Sequence, residues 1–181
     1  ARLSRVDNLG PKLMRALPYL RGAVVVRTCN RLAILVDAPS RLASSGVTPA
    51  VADDVRAVLA HRVELSLEQV HLRHLAGHQA HLDLFATAAG LESMVVGERE
   101  IAGQLRRAFH AAWEEDTLSC DLGRALEHAS RTSRLVATHT GLASSGRSVV
   151  AVGLDLAAQA LRDAKLRPLK EAQVVLVGTG A

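Results

Sequence analysis

Aromatic side chains are nearly missing from this sequence: two Phe, one Tyr and one Trp in 181 residues. Its core has to be packed from Ala, Leu and Val, which favours helices of small cross-section. Lysine is just as scarce. Lys12, Lys165 and Lys170 are the only three among 22 basic residues, so the net charge of +4 is almost entirely arginine. Arginine suits bidentate contact with carboxylate and phosphate. The basic excess is compatible with an RNA partner but does not require one, because an Arg- and Ala-rich coding bias gives the same balance. Cysteine occurs twice, as Cys29 and Cys120, with no CxxC and no zinc-type spacing. A disulfide framework and a metal site are therefore not expected, and a reducing, cytoplasmic compartment is the natural reading. No basic-then-apolar leader opens the chain, and no apolar run approaches the roughly 20 residues of a membrane span. What is present is 49% hydrophobic residues, enough for one domain with a real core or one domain plus part of a second.

Read along the chain, Leu9 to Leu20 has a helical pattern closing on Pro18. Ala23 to Val26 and Leu32 to Val36 are short β-rich runs joined through Thr28-Cys29-Asn30, a hairpin-like unit. Pro39 to Thr48 is a Ser/Gly/Pro loop, and Thr48-Pro49 opens an amphipathic helix running to about His61. Val70 to Leu75 alternates and predicts a third strand, ended by Gly77. Helical spacing then dominates in His81–Ala89, Glu98–Glu115, Leu122 to about Val136 and, after a polar break at Gly141–Gly146, Ser148–Lys165. Gln173 to Val177 reads as a buried parallel-type strand followed by Gly178-Thr-Gly180. The expected class is α+β: a small mixed or antiparallel sheet with helices and a helical segment over residues 1–143. Residues 144–181 would then be the first helix and strand of a truncated Rossmann-type domain.

Three features could carry chemistry. Cys29 precedes Arg31 by two residues; in a strand the two side chains would share a face, and a guanidinium beside a thiol favours the nucleophilic thiolate. The alternative for Cys29 is a small buried hydrophobe. Cys120, at a helix start after Ser119 and without such a partner, reads as structural. His71, His74, His78 and His81 would form one zinc-competent stripe on a continuous helix, but the alternation at Val70–Leu75 and the break at Gly77 separate them. The strand followed by Gly-x-Gly at Gly178 and Gly180 has the form of a dinucleotide fingerprint's opening.

Together these motifs resemble the glutamyl-tRNA reductase family. The resemblance is carried by Val24-Val-Val-Arg-Thr-Cys-Asn-Arg-Leu32, by Leu84-Phe-Ala-Thr-Ala-Ala-Gly-Leu-Glu-Ser-Met-Val-Val-Gly-Glu98, by Ile101-Ala-Gly-Gln104, and by the helix from Ser148-Val149 leading to Gly178-Thr-Gly180. It implies NADPH-dependent reduction of glutamyl-tRNA to glutamate-1-semialdehyde through a thioester on Cys29, the first step of tetrapyrrole synthesis. It also implies substrate contacts from Thr28, Arg31, Ser93, Glu98, Glu100 and Gln104, and an NADPH phosphate site beginning at Gly178 and Gly180. A homodimer formed by helices beyond Ala181 is implied, as is a possible partnership with the next enzyme, glutamate-1-semialdehyde aminomutase.

The sequence also departs from the family. Asp83 stands where the family has a histidine assigned to acid–base steps, and His81, about 200° round a helix, does not replace it. Asp83 is therefore the candidate catalytic partner of Cys29. Glu100 stands at a usual Gln, and Ser133-Arg134 at a usual Gly-Lys. These departures leave a second expectation open, a tRNA-binding or regulatory domain with impaired turnover. The third, a thiol hydrolase, is opposed by the Gly-x-Gly terminus.

Overall fold

A computed structural model describes residues 7–28, 31–39, 48–92, 100–140, 149–173 and 175, with the side chains of 48, 49, 100, 149 and 150 also outside the description. The described residues form an α+β unit with two strands, six α-helices and two short 3-10 turns. Strand β1, Gly22–Arg27, pairs antiparallel with β2, Leu32–Asp37, in the register Gly22↔Asp37 to Arg27↔Leu32. The predicted hairpin is therefore present.

Both faces of this hairpin are covered. Side chains alternate along a strand, and β1 is apolar at successive positions, so each face contributes to a different core. Ala23 and Val25 meet α1 (Leu9–Ala16) and α2 (Thr48–Val63), packing with Leu9, Leu13, Leu17, Leu20, Val51, Val55 and Leu59. Val24 and Val26 face the other way. They pack with Leu84 and Ala88 of α3 (His78–Ala88), Leu105 and Ala108 of α4 (Glu100–Glu114), and Leu126 and Ala129 of α5 (Cys120–His139). Apart from Ile101, the buried hydrophobic core of the described residues is Leu, Val and Ala, as the shortage of aromatics required.

Local chemistry sets the element ends. Helix α1 stops at Ala16 because Leu17 precedes Pro18, which disfavours the helical conformation for the residue before it; Leu17 has φ −125° and ψ 74°. Ser119 caps α5, its Oγ accepting from the Leu122 amide at 3.2 Å. The open end of the hairpin is clamped by Arg21, whose amide donates to the Asp37 carbonyl at 2.7 Å and whose Nε and Nη2 both donate to Asp37 Oδ1 at 3.0 and 2.6 Å.

The strand expected at Val70–Leu75 is not formed. Val70 is buried and follows the 3-10 turn Leu67–Gln69, but residues 71–76 have no regular structure and His71, Leu72, Arg73 and His74 are exposed. Alternation makes a strand only where a partner edge completes the ladder, and neither described strand pairs with this segment. The strand expected at Gln173–Val177 lies largely outside the described residues; Gln173 and Val175 carry no regular structure. Helix α6 (Val149–Asp163) is formed as expected. Cys120 is the exposed first residue of α5 and contributes to neither core, which corrects its reading as structural.

Gly22 marks the closest approach of backbone to backbone. A Cβ there would stand 2.7 Å from the Ser119 amide nitrogen and 2.8 Å from Ser119 Cβ. Gly22→Ala is expected to destabilise by about 1–3 kcal/mol through overpacking, read as a lower urea midpoint at unchanged slope. A second expectation concerns pH. The Tyr19 hydroxyl donates to Asp54 Oδ2 at 2.7 Å, joining the turn after α1 to α2. Partial burial, then this hydrogen bond and the Asp54 charge, push its pKa from 10.0 up to about 12. The folded state thus holds the proton more tightly than the unfolded state, so this contribution is fully present below pH 10 and is lost as pH rises through about 12. Tyr19→Phe should remove that part of the alkaline decline, measured as the difference between wild-type and variant unfolding free energies across the window.

Candidate functional site around the hairpin turn

At its closed end the hairpin is held by two residues that flank Cys29 and Asn30. The Thr28 amide donates to the Arg31 carbonyl at 2.9 Å, and the Arg31 amide donates to Thr28 Oγ1 at 2.9 Å. Threonine suits this place because its hydroxyl can satisfy a backbone amide that the turn leaves without a ladder partner. Cys29 and Asn30 themselves lie outside the described residues.

The Arg31 side chain crosses to α3. Its Nη1 donates to Thr87 Oγ1 at 3.0 Å and lies 3.9 Å from Asp83 Oδ2, while its Nη2 lies 3.6 Å from Glu92 Oε2 in the turn after α3. Asp83 and Thr87 are four residues apart and so share one face of the helix. The other carboxylate oxygen of Asp83 accepts from Arg73 Nη2. The cluster is thus an alternating chain, Arg73–Asp83–Arg31–Glu92, with two positive and two negative groups. Arg31 and Asp83 are sheltered, at 31% and 26% exposure, whereas Arg73 is 64% exposed.

The expected residues distribute unevenly over this geometry. Thr28, Arg31 and Asp83 come together. Gln104 lies on α4 and its Oε1 is buried without a hydrogen-bond partner among the described residues. Such an orphaned acceptor is costly unless a ligand or another group completes it. Glu100 begins α4, but its side chain is outside the description. Cys29, Ser93, Glu98, Gly178 and Gly180 are outside the described residues. Arg31 does not lie on a strand, because β1 ends at Arg27 and β2 begins at Leu32, so the shared strand face expected for Cys29 and Arg31 is not formed at Arg31. The turn places Arg31 by its backbone bonds to Thr28, and its head is turned to α3. His81 stands apart from the cluster, its Nδ1 2.9 Å from the Gly77 carbonyl.

Three members of the site went unread in the sequence. Thr87 and Glu92 lie inside a motif already noted, and Thr87 could have been found from its spacing of four from Asp83. Arg73 had no such signal, since it was placed on a strand.

The residue patterns have counterparts in known proteins. The family described as glutamyl-tRNAGlu reductase, N-terminal domain, matches residues 3–140. The chain belongs to the glutamyl-tRNA reductase family. It is 42% identical over 183 residues to the glutamyl-tRNA reductase of Cutibacterium acnes, covering 98% of this chain and 38% of that protein. It is 45% identical over 190 residues to that of Micrococcus luteus, covering all of this chain and 40% of that protein. A more distant relative, from Syntrophus aciditrophicus, is 34% identical over 146 residues, 80% of this chain and 33% of the other. The chain therefore spans about two fifths of the length of the first two of these relatives. Among the described residues no helix is long and apolar enough to cross a membrane.

The Thr28 hydroxyl should matter to the fold of the turn. Thr28→Val removes the acceptor for the Arg31 amide and is expected to cost about 0.5–1.5 kcal/mol, while Thr28→Ser retains it and costs less. Denaturant unfolding of the two variants side by side checks this.

Proposed function

We propose that this domain carries the acyl-transfer half of glutamyl-tRNA reduction, with Cys29 as nucleophile and Arg31 as the group that recognises a substrate carboxylate. The observation that carries the reading is the arrangement of Arg31. Its backbone is bonded to Thr28 across the turn that contains Cys29, and its head lies among oxygen ligands, two of them carboxylates. A guanidinium so placed is suited to a carboxylate, and the glutamyl group offers one. In the reaction the Cys29 thiolate attacks the ester carbonyl. A carbon–sulfur bond forms, the bond to the ribose oxygen of tRNA breaks, and tRNA leaves as its free hydroxyl. The buried Gln104 Oε1, without a partner among the described residues, is an acceptor for a donor group such as the substrate ammonium.

NADPH, when bound, supplies the hydride that converts the thioester to glutamate-1-semialdehyde and so feeds tetrapyrrole synthesis. Gly178 and Gly180 would begin its phosphate site, since backbone amides at a strand-to-helix turn favour pyrophosphate, and no feature of the described residues bears on them. The same reading puts the domain boundary near residue 143, in keeping with the family match ending at residue 140. It also holds the protein to be cytoplasmic and, at full length, homodimeric, with the aminomutase that consumes the aldehyde as a possible partner.

A second reading, a tRNA-binding or regulatory domain without turnover, is favoured by one observation: both oxygens of Asp83 already face guanidinium groups. A base so engaged would have to give up a partner to take a proton. One experiment separates the two. The full-length protein, longer than residues 1–181, and its Cys29→Ser variant are incubated with glutamyl-tRNA, with and without NADPH. Semialdehyde formation that falls on the order of a thousandfold or more in the variant supports the reductase. Binding of tRNA without product in either form supports the second reading and sinks the first.

A further inference from the structure

We infer that Arg73 is a positioning residue for the site: through Asp83 it fixes the head of Arg31. This inference rests on the proposed role of Arg31 in holding a substrate carboxylate. Asp83 uses its two oxygens separately, Oδ1 toward Arg73 and Oδ2 toward Arg31 at 3.9 Å. The three residues come from three different parts of the chain. Arg73 lies in the exposed segment 71–76, Asp83 on α3 and Arg31 at the end of the hairpin.

Stability does not account for the arrangement. An ion pair with one partner as exposed as Arg73 contributes about 0–1 kcal/mol, and segment 71–76 is exposed at every residue but the half-buried Leu75. Orientation does account for it. Without Arg73, Asp83 would have a single cationic partner among the described residues and would be free to rotate toward Arg31 and draw its head down onto α3. With Arg73 on the opposite oxygen, the carboxylate is held from both sides. Arg31 then keeps its direct hydrogen bond to Thr87 and stays 3.9 Å from Asp83, a distance at which attraction persists without a hydrogen bond. Charge agrees with this division. Arg73 offsets the second carboxylate, so Arg31 is not held under a net negative charge that would oppose an incoming anion. The segment misread as a strand thus acts through one side chain and not through its backbone.

The test uses the full-length protein and the variants Arg73→Ala, Arg73→Lys, Asp83→Asn and the Arg73→Ala/Asp83→Asn double. The first readout is steady-state reduction of glutamyl-tRNA. Arg73→Ala should raise KM about three- to tenfold with kcat little changed, because it loosens binding and not the chemical step. Arg73→Lys, which keeps the charge, should recover part of the loss. In the Asp83→Asn background, Arg73→Ala should add nothing, since neighbours acting through one another are not additive. The second readout needs no turnover: the rate at which phenylglyoxal modifies Arg31 in the substrate-free protein, followed by peptide mass. Arg73→Ala and Asp83→Asn should each change that rate severalfold. An unchanged KM and an unchanged Arg31 rate in Arg73→Ala overturn the inference, as does an equal rise in KM with and without Asp83. If the wild type makes no aldehyde yet the Arg31 rate responds to both variants, the reductase reading fails and the positioning role stands. If the wild type makes aldehyde and the Arg31 rate is indifferent to Arg73, the positioning role alone fails.

Discussion

The structure depends on one strand being apolar on both sides. Residues 23–26 of β1 are buried or half-buried in succession, and the alternation of a strand sends them to opposite faces. Neither face can be left to water, so helices must cover both: α1 and α2 on one side, α3, α4 and α5 on the other. A two-stranded hairpin is marginal alone; here it is the layer across which two cores are built. This fixes the register firmly. A slip of one residue would exchange Ala23 and Val25 with Val24 and Val26 and misfit both cores at once. The Arg21–Asp37 clamp at one end and the Thr28–Arg31 bonds at the other hold the same register by polar means.

The site follows from that register. Because β1 ends at Arg27 and β2 begins at Leu32, Thr28 and Arg31 are forced into mutual hydrogen bonding, and Cys29 belongs to the two-residue interval between them. The helix that buries Leu84 and Ala88 against Val24 and Val26 also carries Asp83 and Thr87. Core packing of α3 and the polar contacts of Arg31 are therefore two faces of one placement. A change in core volume beneath α3 would move the partners of Arg31, even though no polar group had been touched.

What the sequence made legible tracks how local the cause was. The hairpin and the helices were readable because periodicity and end signals lie within each segment; Pro18 and Ser119 act on their immediate neighbours. Residues 70–75 show the opposite. Their alternation is that of a strand, but a strand needs an edge supplied from elsewhere, and periodicity carries no information about that. The link between Cys29 and Arg31 was inferred from strand geometry, whereas Arg31 lies outside both strands and is bonded to Thr28. The glutamyl-tRNA reductase motif marked Arg31, Asp83 and Gln104 but said nothing of Arg73. Its proposed role arises from contact between segments ten residues apart, and the histidine that the resemblance implies at position 83 would not call for a second arginine.

That last difference determines how the cluster can work. A sheltered guanidinium without counter-charge is costly, so Arg31 must be paired in the absence of any ligand. The chain pairs it twice, but unequally. Asp83 is 26% exposed, sits within a regular helix and is also held by Arg73; Glu92 is 45% exposed and stands in a turn, 3.6 Å from Arg31 with no other partner described. If a substrate carboxylate is to reach Arg31, one of these must yield, and the physical asymmetry selects Glu92. Exchange of one carboxylate for another adds little net electrostatic energy, so binding at Arg31 would gain chiefly in selectivity for an acidic side chain and less in affinity. The affinity must then come from elsewhere on the substrate. Under the proposed function the nucleic acid of an aminoacyl-tRNA would be by far the larger source of contacts, and Arg31 would be left to discriminate what the tRNA carries.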